Sequence, residues 1–139
     1  MADDILVNKV AIIERCLGRV LEEYQGKEAE LVTNYTRQDA ILMNLQRACE
    51  ASIDAAMHLV RLYRLGVPQE SREAFQLLEK EKIISSEMSH RLQAMVGFRN
   101  IAIHDYRTLN IEIVRAILEK HLVDFRAFCV ILLEQAFKK

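Results

Sequence analysis

Helix breakers are scarce in this chain, and their positions dictate what it can fold into. Its 139 residues include one proline and four glycines, and no stretch shows the period-two alternation of a half-buried strand. Between the breakers, apolar residues recur at three- and four-residue intervals, so an all-α chain is expected. A first helix is expected from about residue 4 to Tyr24, with Leu6, Val10, Ile13, Leu17, Val20, Leu21 and Tyr24 on one stripe and Gly26 as its stop. The polar stretch GKEAELVTNYT leads to a second helix capped by Thr36, with Asp39 in its first turn. Its stripe is Ile41, Leu45, Ala48, Cys49, Ser52, Ala56, Leu59, Val60 and Tyr63, and it stops at LGVP, where Gly66 and Pro68 enforce the break. At 1.5 Å per residue this helix is a strut of roughly 40 Å. A short third helix follows Ser71 and carries Phe75, Leu77 and Leu78; a fourth starts near residues 85–87 and carries Met88, Leu92, Met95 and Val96. A fifth begins after Asn110 and continues nearly to the end. Short connections favour an antiparallel four-helix bundle with an additional short helix, one domain over residues 1–139.

Hydrophobic residues make up 51% of the chain and charged ones 28%, enough to bury a core without a disulfide or metal staple. The apolar run FCVILL is far shorter than the ~20 residues of a membrane span. The opening MADDILVNK lacks a basic segment followed by an apolar one, so no secretory signal is expected and the cytoplasm is the expected compartment. Cys16, Cys49 and Cys129 are odd in number and lack C-x-x-C spacing, which points to reduced core residues and to no metal site. A net charge of −1 argues against a broad basic face for nucleic acid but allows a small cleft where a few arginines converge.

The segment MVGFRNIAIHDYR holds the residues able to do chemistry. Arg99 falls on the same helical stripe as Leu92, Met95 and Val96, where a permanent cation must either meet an acid such as Glu50 or Asp54 or face a cleft open to an anion. His104 lies five residues on, about 140° around an ideal helix. The two converge if the helix ends near Ile103, or if a second copy of the chain brings its own pair alongside. Histidine gives or takes a proton near neutrality and arginine's planar fork matches phosphate oxygens, so together they suffice to cleave RNA through its own 2′-hydroxyl without a metal. Tyr106 can stack on a base, bond a phosphate or carry a modification. Glu50, Asp54 and His58, at four-residue spacing, form either an ion-paired surface or a support in which Asp54 orients Arg99 or His104. His121 is expected in the core and His90 in solvent, while Gly97 permits a close approach or simply packs. Glycine-rich phosphate loops, H-E-x-x-H and G-x-S-x-G are absent from the sequence.

RNIAIHDY also matches the R-x-x-x-x-H-x-Y pattern of the HEPN superfamily, and residues 36–110 resemble its HepT-like ribonuclease toxins in order and spacing. The resemblance implies a helical bundle that homodimerises and places both motifs in a shared cleft. It makes Arg99 and His104 the catalytic pair of a metal-independent endoribonuclease with no cofactor, supported by Asn100. It further implies a minimal nucleotidyltransferase antitoxin, MntA-like, that transfers AMP from ATP to Tyr106. The alternative is a non-catalytic subunit that holds a nucleotide or docks the nucleotidyltransferase, with Arg99 and His104 as phosphate ligands. A structural arginine–acid pair in an otherwise inert bundle is the plainest reading.

Overall fold

A computed structural model describes residues 2–104 and 109–138, and among them every regular element is helical. Helix α1 (Asp4–Tyr24) begins at Asp3, whose Oδ1 accepts from the amides of Ile5 (3.0 Å) and Leu6 (3.2 Å). It ends before Gly26, which takes φ +76°, the left-handed conformation that makes glycine the usual helix stop. A 3₁₀ turn (Glu28–Glu30) follows, then α2 (Tyr35–Leu62). Asn34 rather than Thr36 caps α2: its side-chain oxygen accepts from the Arg37 amide at 3.0 Å, and asparagine is the stronger cap of the two.

The expected strut is real. Ile41, Leu42, Leu45, Ala48, Ala51, Ile53, Ala55 and Leu59 are all buried, so α2 is covered on more than one face and forms the centre of the bundle. It stops earlier than the LGVP sequence suggests. Arg64 adopts φ +54°, and the amides of Leu65 and Arg64 close back on the carbonyls of Val60 and Arg61 at 3.0 and 3.3 Å, a Schellman ending with arginine in the position glycine usually holds. Tyr63, expected on the apolar stripe, lies beyond this end, and its hydroxyl donates to Gln135 Oε1 at 2.5 Å. Helix α3 (Ser71–Lys80) ends the same way with Lys82 at φ +59°.

Helix α4 (Ser86–His104) packs Leu92, Met95, Val96 and Phe98 inward. The last rod is not continuous: α5 (Ile111–Ala116), capped by Asn110, passes through a π-helical turn (Ile117–His121) into α6 (Leu122–Ala136). The extra residue that a π turn inserts shifts the stripe. His121 is therefore only half-buried and pairs with Asp124 at 3.1 Å instead of entering the core. Four long rods, α1, α2, α4 and α5–α6, thus share one apolar core with α3 as the added short helix. Lys9–Asp54 and Glu23–Arg37 contacts at opposite ends show α1 and α2 to be antiparallel, and Asp3 N–H donates to the Ala136 carbonyl at 2.8 Å, joining the two termini. No helix among the described residues is long and apolar enough to cross a membrane.

Candidate functional site

Arg99 sits where α2, α3 and α4 meet. Its Nη1 donates to Glu50 Oε1 at 2.7 Å and its Nη2 to Ser71 Oγ at 3.1 Å, leaving the side chain 17% exposed and that of Glu50 40% exposed. Nε is buried and has no hydrogen-bond partner among the described residues. Of the two acids the sequence offered, Glu50 is the one that meets Arg99. Asp54, one turn further along α2, instead pairs with Lys9 at 3.2 Å and bonds to neither Arg99 nor His104. His58 pairs with Asp3 at 2.7 Å. Glu50, Asp54 and His58 are thus each bonded to a partner off α2, Glu50 to α4 and the other two to α1 and its cap, rather than to one another.

Nothing in the sequence around Ser71 singles it out. The spacing puts it just ahead of α3, yet it is the first helical residue, and its hydroxyl is committed to Arg99 while Glu50 approaches the same guanidinium from α2. Only the packing of α3 against α4 brings it there. Gly97 admits not a backbone but the Arg72 side chain: a Cβ there would stand 2.7 Å from Arg72 Nη2, whose Nε donates to the Gln93 carbonyl.

His104 is the last residue of α4 and is exposed. The helix therefore does not turn before it, and in one chain the imidazole projects about 140° away from Arg99 around the same axis. Asn100 is half-buried and its side chain makes no hydrogen bond to another described residue. Tyr106 lies outside the described residues. Cys49, next to Glu50, is fully buried; burial pushes its thiol up to about 12 although Arg99 opposes this, so it takes no part as a thiolate.

A helical bundle with the R-x-x-x-x-H motif on the final turns of its fourth helix has the HEPN-type fold. It superposes on the solved structure of a tri-AMPylated Shewanella oneidensis HEPN toxin in complex with an MNT antitoxin with a TM-score of 0.89 and 44% identity, covering 94% of this chain and 97% of that one. A toxin–antitoxin crystal structure containing AMP-PNP is similar to the same degree, with a TM-score of 0.89 and 43% identity over 94% of this chain and 98% of that one. The chain belongs to the ribonuclease HepT-like family, which it matches over residues 13–132. It is 45% identical over 126 residues to the mRNA nuclease HepT of Shewanella oneidensis, spanning 91% of this chain and 94% of that protein.

Proposed function

We propose that this protein is a metal-independent endoribonuclease toxin of a toxin–antitoxin pair, restrained by a nucleotidyltransferase antitoxin that adenylylates it. The observation that carries this reading is the half-buried Arg99, whose guanidinium is held at 2.7 Å by Glu50 and uses only two of its five N–H donors among the described residues, on the same helix as an exposed His104. In the reaction, the RNA 2′-hydroxyl attacks the adjacent phosphorus and the 5′-oxygen leaves, giving a 2′,3′-cyclic phosphate. The 2′-hydroxyl gives up its proton to solvent water as the O–P bond forms, His104 donates the proton that the leaving 5′-oxygen takes up, and Arg99 stabilises the charge that accumulates on the phosphorane oxygens. Asn100, beside the arginine, supports the phosphate.

The 140° between the two side chains means that one chain alone does not aim both groups at one phosphorus. A second copy resolves this: in a homodimer with the α4 ends apposed, Arg99 of one copy faces His104 of the other across a shared cleft. Asp54, held by Lys9, stands outside this pair. Tyr106, two residues beyond His104, is the residue we assign to adenylylation. Each AMP added there brings a phosphodiester anion beside the cationic pair, occupying the phosphate position and repelling RNA. The unit that does this is the single helical domain of residues 1–139, acting in the cytoplasm.

The test is induced expression and purified-protein cleavage of RNA in the presence of EDTA. Arg99→Ala and His104→Ala should each relieve growth arrest and slow cleavage by about a hundredfold or more while retaining the helical circular dichroism of the parent. Cleavage undiminished by both changes would reject the proposal.

A further inference from the structure

Although the chain carries a net charge of −1, four of its basic side chains line one groove. Antiparallel α1 and α2 leave a groove of about 590 Å³ between them. Lys9, Arg15 and Arg19 line it from α1 and Arg47 from α2, against the carboxylates of Glu50 and Asp54, four positive charges to two negative. Its floor includes the buried Cys16, and Arg15 from α1 and Arg47 from α2 line the same groove. Lys9 is paired with Asp54, and Arg19 with Glu22 and Glu23, but neither Arg15 nor Arg47 has an ion-pair partner among the described residues. Both arginines are exposed, so each keeps guanidinium donors free for an anion that enters the groove.

Glu50 links the groove to the candidate active site, because the carboxylate that lines the groove also holds Arg99. From Lys9 to Arg19 the groove runs about 15 Å at the helical rise per residue, enough for about two nucleotides of extended backbone. We propose that this groove is a binding track for the RNA strand flanking the scissile phosphate, with Arg15 and Arg47 clamping one backbone phosphate from opposite walls. The proposal rests on the nuclease reading of Arg99 and His104 and extends it to a second site. Recognition is mainly of phosphate, since four of the lining side chains are guanidinium or ammonium groups and none is an aromatic ring on which a base could stack.

The experiment measures binding of the full chain to a fluorescein-labelled single-stranded 2′-O-methyl RNA, which cannot be cleaved through a 2′-hydroxyl, across a salt series. Arg15→Gln/Arg47→Gln should weaken binding about tenfold at low salt and reduce the slope of log K against log salt by about 0.7, the value for the one backbone phosphate left without its cations. Arg15→Lys/Arg47→Lys should retain the parental slope. Arg61→Gln/Arg64→Gln removes the same charge from the exposed end of α2, outside the groove, and should leave both readouts unchanged. No RNA binding by the parent, an unchanged slope in the groove variant, or equal weakening in the Arg61/Arg64 variant would overturn the assignment. Loss of antitoxin co-purification with RNA binding intact would give the groove to a protein contact and overturn it too. Because the probe is uncleavable, undiminished cleavage in His104→Ala would refute the nuclease reading without altering this result.

Discussion

Glu50 holds Arg99, and removing it separates a structural role from a positioning one. The pair is intermediate in burial, with Arg99 17% and Glu50 40% exposed and a 2.7 Å charged hydrogen bond between them. Exposed pairs are worth about 0–1 kcal/mol and the loss of one partner of a fully buried pair costs about 3–5, so a coupling of about 1–2 kcal/mol is expected here. Urea denaturation of the parent, Glu50→Ala, Arg99→Ala and the double variant gives this coupling directly. In cleavage assays Arg99→Ala should lose about 10²–10³ in rate, the size of one lost donor to a developing oxyanion. Glu50→Ala should lose about tenfold or more, because the freed guanidinium no longer points at the phosphate. The double variant should cut no more slowly than Arg99→Ala alone, since Glu50 reaches the reacting phosphate through Arg99 and its loss from the groove removes only a negative charge. Stability effects that add with no coupling, or a further tenfold loss of rate in the double variant, would refute this reasoning.

Other expectations follow from the ends of the helices. Burial alone would raise the pKa of Asp3, but hydrogen bonds from His58 and the Leu6 and Ile5 amides outweigh it and hold the carboxyl below its ordinary value of 3.8. A lowered folded pKa means that its contribution is fully present above the unfolded value and is lost as pH falls through the folded one. The stability gap between the parent and Asp3→Ala, about 1 kcal/mol at neutral pH by urea titration, should therefore close on acidification below about pH 4. Arg64 and Lys82 hold left-handed conformations at φ +54° and +59°. Arg64→Gly should raise stability by roughly 0.5–1 kcal/mol, the strain relieved less the entropy glycine loses, and a lower melting temperature would contradict this.

The elements are legible because their apolar stripes and stops are local. Gly26 takes the left-handed turn after α1, and the α1 stripe of Leu6, Val10, Ile13, Leu17 and Val20 is buried as its spacing demands. The details that differ depend on contacts between elements. Nothing near Arg64 in the sequence announces that it, and not Gly66, closes α2. The π turn at Ile117–His121 leaves no mark in the hydrophobic pattern, so the pattern misplaces His121. At the site, the position of Arg99 on an apolar stripe announces a partner, and the choice of Glu50 over Asp54 is made by how α4 crosses α2. Ser71 is invisible because its role is set by the docking of α3. The continuation of α4 through His104 removes one of the two ways for the pair to converge and leaves the second copy.

That second copy is the centre of the account, and dimers assembled from differently tagged chains test it most directly. Arg99→Ala mixed with His104→Ala should recover about half of the parental cleavage per dimer, because one of the two clefts regains an intact arginine from one copy and an intact histidine from the other. A chain bearing both changes, paired with the parent, should be inactive. Activity in the second dimer with none in the first would place both groups of each site in a single chain and contradict the account.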